Sequence, residues 1–330
     1  MDVMRKRTRQ KRGLLAAVVL ILVLVMIYSG LRILESTVFY VPQTQTAVPS
    51  KTITRDGIDY FPRQDITTIL VMGIDEEGPV TDSGSYRNTG EVDMAALVIL
   101  DQTEETYSIL CLNRDLMLEM PVLGLGGRQA GTFYGQLALA HAYGSGLADS
   151  AENTVAAVSD FLYGITIDYY VAMNMDAIGI LNDAVGGVTV NVTDDFSRAD
   201  ATIPMGTVTL NSAQAMTFVR SRKDVGTQLN LSRMSRQREY MNGLAQALTA
   251  SITGSETFVV DVYDRMADYM VTDCSVNVVS GLMQRCAGYT LKENVSIEGQ
   301  NVKGEEFYEF HADEAKLDPL ILRLLYAPKE

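Results

Sequence analysis

The chain has 330 residues, 47% of them apolar, and a net charge of −14. That apolar share supports a substantial core in one large or two medium domains. Such an acidic chain is a poor ligand for nucleic acid, which is gripped through phosphate neutralisation. Its three cysteines exclude a disulfide-built scaffold.

From the amino end, residues 1–13 form a basic tail, with "RKRTRQKR" at 5–12. Residues 13–31, "GLLAAVVLILVLVMIYSGL", carry no charge. A run of that length predicts a membrane-spanning helix, placed over 14–34. The basic flank holds the amino end in the cytoplasm, so the remainder is expected outside the cell. No small-x-small cleavage site follows directly, which favours a retained anchor over a cleaved signal peptide. Beyond Arg32 there remain 20 basic and 40 acidic residues, a net −20.

Residues 35–64 show no sustained period and are read as an extracellular stem, leaving 65–330 as the folded domain. "TTILVMGI" (67–74), "MAALVIL" (94–100) and "TYSILCL" (106–112) predict three buried strands. A helix is expected over 150–163, capped by Ser150. "DYYVAMNM" (168–175) and "VTVNV" (188–192) predict further strands, separated by the helical "DAIGILNDAV" and its stop at Gly186–Gly187. Strands interleaved with helices predict an α/β domain. Cys111 is expected to be a buried thiol. Cys274 and Cys286 could pair, but sequence alone does not place them close enough for a bridge.

The segment "FVRSRKDVGTQLNLSRMSRQR" (218–238) holds Arg220, Arg222, Lys223, Arg233, Arg236 and Arg238. These are six of the twenty cations outside the anchor. Stepping about 100° per residue along the following helix puts Arg233 and Gln237 in one arc with Met241, Leu244 and Leu248. Arg236 falls outside that arc. An inward guanidinium needs an anionic partner, supplied by an internal carboxylate or by a ligand.

Asp75 follows the first predicted strand, Asp93 precedes the second and Arg114 follows the third. In an antiparallel meander all three collect on one sheet edge. The 17 residues between Asp75 and Asp93 are long enough for a rim or lid. Paired carboxylates suit Mg²⁺, or another divalent ion such as Mn²⁺. Ordinary strand-end turn chemistry is the competing account of each aspartate. Carboxylates with a cation and arginine forks together match a pyrophosphate. No GxxxxGK, GxSxG or HExxH motif offers another chemistry. His141 and His311 are expected to be structural, and "GLGG" (124–127) to be a turn.

With "ILVMGID", "DMAALVIL", "LNRDLMLEMP", "AHAYG", "DYYVAMNMDAIGILNDAVGGVTVNV" and "LNSAQAMTFVRSRKD…SRMSRQR", the sequence resembles the LytR-CpsA-Psr family of cell-envelope proteins over roughly 65–245. The resemblance implies a mixed central sheet between helical layers and an apolar tunnel for a lipid. It implies a phosphotransferase that moves a glycopolymer, such as wall teichoic acid or capsular polysaccharide, from a polyprenyl-pyrophosphate carrier to peptidoglycan. By motif, Asp75 and Asp93 correspond to the magnesium-associated aspartates, while Arg114, Arg220 and Arg222 join Asp75 as catalytic candidates. Arg233 and Gln237 correspond to substrate-binding residues on the following helix. Gln136 stands where many relatives carry a lysine, and is taken as a substrate-binding position altered in this chain. "VGTQLNLSR" also departs from relatives that carry acidic and glycine residues before the arginine. Two alternatives stay open: a pyrophosphatase using water as acceptor, and a non-catalytic protein binding polyprenyl-phosphate lipids.

Overall fold

A computed structural model describes residues 52–329, apart from 125–126, 222–224, 226–228, 255–257, 275–281, 283–285, 287–288 and 305–306. The expected anchor, the basic tail and Arg222 lie outside the described residues. Among those described, no helix is long and apolar enough to cross a membrane.

The centre is a six-stranded mixed sheet. β3 (Ile66–Ile74), β4 (Val92–Asp101) and β5 (Thr106–Leu112) form the antiparallel meander expected from their apolar runs. β8 (Tyr169–Asn174) lies parallel to β3, and β11 (Met270–Thr272) runs antiparallel outside it. β12 (Thr290–Ser296) closes the other edge, parallel to β5.

Alternate residues of each strand feed two cores, because side chains in a strand point to opposite faces. Ile69, Val71, Val98 and Ile109 face one layer. It contains α2 (Asp176–Ala184), α3 (Ser212–Arg220), α4 (Leu229–Gly254), α5 (Phe258–Met266) and the hairpin β9–β10 (Val188–Val192, Gly206–Leu210). Leu70, Met72, Leu97 and Leu110 face the other layer, with α1 (Ala148–Phe161), α6 (Glu314–Leu325) and the hairpin β6–β7 (Met117–Leu123, Gln129–Gln136). The chain is thus an α/β domain with a mixed central sheet between two layers.

Three glycines fix this geometry. Gly186 and Gly187 have φ of +74° and +102°. Their amides bond back to Asp183 and Asn182, ending α2 as the sequence predicts. Gly243 lets α4 cross β9 closely, since a β-carbon there would sit 2.3 Å from the carbonyl oxygen of Thr189.

Several expectations are corrected. Residues 53–62 are part of the fold and not stem: β1 (Ile53–Arg55) pairs with β2 (Ile58–Pro62), and β2 pairs with β15 (Tyr326–Pro328), a partner too distant in sequence to show as a local pattern. Helix α1 starts at Ala148, and Ser150 lies inside it instead of capping it. The Ser150 hydroxyl accepts from the Gly146 amide and the Asn88 side chain. Cys111, on β5, is half-buried beside Asn294 of β12 and not fully buried. The open question of a Cys274–Cys286 bridge is answered in the negative, since Cys274 is a free buried thiol.

Candidate active site

The site lies where β3 ends, β4 begins and β5 turns out of the sheet. Ile74 pairs with Val92 while Gly73 pairs with Met94, so Asp93 is the extra residue of a β-bulge. A bulge re-aims the side chain it carries. Asp75 lies beside this bulge, its amide donating to the Glu91 carbonyl at 2.9 Å.

After β5, the Asn113 side chain accepts from the Asp115 amide at 2.9 Å, forming an Asx turn that fixes Arg114. The half-buried Arg114 guanidinium meets a carboxylate at each nitrogen. Nη1 pairs with Asp93, Nη2 lies 2.6 Å from Glu91, and Nε lies 3.6 Å from Asp115 Oδ1. Asp75, Asp93 and Arg114 therefore gather on the edge expected from the meander.

From the other layer, helix α3 opens with a capping box between Asn211 and Gln214 and ends at Arg220. Arg220 is exposed, with Nη1 2.6 Å from Glu77 and Nη2 3.5 Å from Asp75. Helix α4 brings Arg233, 8% exposed, to 3.8 Å from Asp93 Oδ2. Asp93 thus lies between Arg114 on one oxygen and Arg233 on the other. Half-buried Gln237 turns to helix α3, its amide donating to the Val219 carbonyl at 3.4 Å.

Arg236 departs from its helical-wheel position. It is 3% exposed, bonded to the carbonyls of Phe218 (2.9 Å) and Ser221 and to Asp194 Oδ2 (2.5 Å), with its guanidinium 5.6 Å from the Phe196 ring centre. Helix α4 is covered on two sides, by β9 and by the end of α3, so its buried face is wider than one arc. Arg236 ties down the turn carrying Arg220.

Gln136 does not face the arginines directly. It is buried at the end of β7, donating to Asp115 Oδ1 (3.1 Å) and to the Tyr308 carbonyl (2.9 Å). It touches the site through Asp115 and hence Arg114.

The segment between Asp75 and Asp93 is a rim strapped in place. Gly78 bonds to Asp176, and the Asn88 amide group donates to the carbonyls of His141 and Gly144 and to Ser150 Oγ. His141 is structural as expected: its buried ring donates from Nδ1 to the Gly90 carbonyl at 3.1 Å, and burial pushes its pKa down to about 4. His311 pairs with Glu309 at 2.8 Å.

Glu77 and Glu91 were not singled out from sequence. They sit in polar loop sequence without a period, and only their closeness to Arg220 and Arg114 marks them. Among the described residues, no three His, Cys, Asp or Glu side chains are grouped to hold a metal ion. The oxygen-only pair Asp75 and Asp93 still fits Mg²⁺, which binds through one or two carboxylates and takes other ligands from water and phosphate.

Residues 36–321 match the LytR_cpsA_psr family. The chain is 24% identical over 277 residues to the polyisoprenyl-teichoic acid–peptidoglycan teichoic acid transferase TagU of Bacillus licheniformis, covering 83% of this chain and 82% of that protein. Among solved structures it resembles protein gbs0355 of Streptococcus agalactiae, at 22% identity and a TM-score of 0.62 over 79% of this chain and 86% of that one. It also resembles TagT bound to LI-WTA, at 24% identity and a TM-score of 0.57 over 79% and 90% of the two chains. These structural likenesses support the same mixed-sheet fold.

Proposed function

The chain belongs to the LytR_cpsA_psr family, and from that premise we propose that it transfers a glycopolymer from a polyprenyl-pyrophosphate carrier to peptidoglycan through a phosphodiester. The observation that carries this reading is the placement of Asp93 between Arg114 and Arg233, with Arg220 beside Asp75. Three guanidiniums from three elements converge on one edge, as a polydentate phosphate requires.

In this reading Arg114, Arg220 and Arg233 hold the phosphate oxygens, joined by Arg222 from the segment after α3. Gln237 lies about one turn along α4 from Arg233. A sugar hydroxyl of peptidoglycan attacks the phosphorus next to the glycan, passes its proton to a carboxylate, Asp75 or Asp93, and displaces polyprenyl phosphate. Phosphoryl transfer calls chiefly for positioning and charge stabilisation, which fixed arginines supply. Asp75 and Asp93 are the residues that would hold Mg²⁺ or Mn²⁺, and a divalent ion there would neutralise the diphosphate. The relatives named as teichoic acid transferases favour an anionic glycopolymer as cargo. The reaction belongs on the outer face of the membrane, where an anchor at 14–34 would hold the domain close to its lipid.

The test is to incubate the full chain in detergent with a labelled polyprenyl-pyrophosphate glycan and a peptidoglycan acceptor, with and without Mg²⁺. Label should move to the acceptor in the presence of Mg²⁺. Lipid binding without any transfer would instead identify a non-catalytic lipid-binding protein.

A further inference from the structure

Arg114 is crowded by three of this chain's own carboxylates. Glu91, Asp93 and Asp115 each face a different nitrogen of its guanidinium. Some of its five N–H donors stay available to a phosphate, but a bidentate grip across two of its nitrogens competes with a carboxylate. Two of the three are held by other contacts: Asp93 lies 3.8 Å from Arg233, and Asp115 accepts from Gln136 at 3.1 Å. Glu91 is different. Its carboxylate reaches Arg114 from the rim with 40% of its side chain exposed, and its backbone carbonyl stays bonded to Asp75 whichever way the side chain points.

We propose that Glu91 is an internal competitor for Arg114, an anion that the incoming diphosphate must displace. This rests on the reading of the site as a phosphate site. It makes Glu91 a specificity-determining residue: a ligand with one weak contact cannot dislodge it, whereas a diphosphate engaging several arginines can. Glu77 holds Arg220 in a similar way, but that pair is largely exposed, with side chains 38% and 71% accessible, and solvent screens it. The half-buried Glu91–Arg114 contact is the stronger barrier.

The experiment is calorimetric titration of the detergent-solubilised full chain with inorganic pyrophosphate, with and without Mg²⁺. It compares the wild type with Glu91→Gln, Glu91→Asp and Glu77→Gln, after thermal melting confirms that each is folded. Glu91→Gln should lower the Kd about tenfold in both series, as expected for releasing one charge-assisted hydrogen bond. Glu91→Asp, one methylene shorter, should fall between. Glu77→Gln should change the Kd by less than about threefold. Unchanged or weaker binding in Glu91→Gln would overturn the proposal while leaving the phosphate site standing. A loss confined to the Mg²⁺ series would overturn it in favour of metal ligation by Glu91. No pyrophosphate binding by the wild type or any variant would remove the phosphate site itself.

Discussion

Arg233 on helix α4 reaches to 3.8 Å from Asp93, the bulged residue at the start of β4. This separation exceeds a hydrogen bond. Asp93 is meanwhile paired with Arg114. Removing Arg233 therefore leaves Asp93 with a cation. Arg233→Met, which keeps much of the volume and removes a buried charge, should leave stability near wild type and abolish pyrophosphate binding. Thermal melting and titration of the same protein check this. A drop of about 3–5 kcal/mol, typical of a broken buried ion pair, would make Arg233 a structural residue.

Arg236, three residues along the same helix, should behave in the opposite way. Its bonds to Asp194, Phe218 and Ser221 are buried. Arg236→Met leaves two carbonyls and a carboxylate without that donor, and should cost about 3–5 kcal/mol. Chemical denaturation beside Arg233→Met gives the comparison. Equal stabilities of the two variants would contradict the division of roles.

Arg220→Lys keeps the charge and loses the planar fork. Turnover should fall by about one to three orders of magnitude, or roughly 1.4–4 kcal/mol of transition-state stabilisation. Arg220 is exposed at the end of α3, so the melting midpoint should stay near wild type. The same loss is expected for Arg222→Lys. Full activity in both variants would rule out bidentate phosphate binding by this pair.

His141 gives a pH dependence of known sign. Burial holds its folded pKa at about 4, below the unfolded value near 6.5. Between those values the unfolded chain binds the extra proton, so stability falls as pH falls. The contribution is fully present above pH 6.5 and is lost on the way down to about pH 4. Between pH 7 and pH 5 it should amount to about 2 kcal/mol. His141→Asn, whose side-chain amide can donate to Gly90, should lower stability but flatten this dependence. Parallel pH curves for variant and wild type would refute the assignment.

The central strands were legible because both faces of the sheet are covered, which leaves continuous apolar runs such as "TTILVMGI". Their meander was enough to bring Asp75, Asp93 and Arg114 together. The bulge at Asp93 was not legible, since it depends on the pairing register and not on local composition. Arg236 was misplaced because one helical arc describes one packing partner, and α4 has two. The β1–β2 hairpin carries no local signal of its own, because its third strand lies at the far end of the chain. The motif marks Gln136 as a substrate-binding position altered from lysine, and its hydrogen bonds to Asp115 and Tyr308 become visible only once β7 and β14 (Tyr308–Ala312) are adjacent.

The most direct test follows the phosphorus. The full chain is supplied with Mg²⁺, a polyprenyl-pyrophosphate glycan and a peptidoglycan acceptor, and the products are resolved by ³¹P NMR. Transfer predicts one new phosphodiester signal on the acceptor for each polyprenyl monophosphate released. Polyprenyl monophosphate with a phosphomonoester on the free glycan, and no diester, would mean that water is the acceptor and that the protein is a pyrophosphatase.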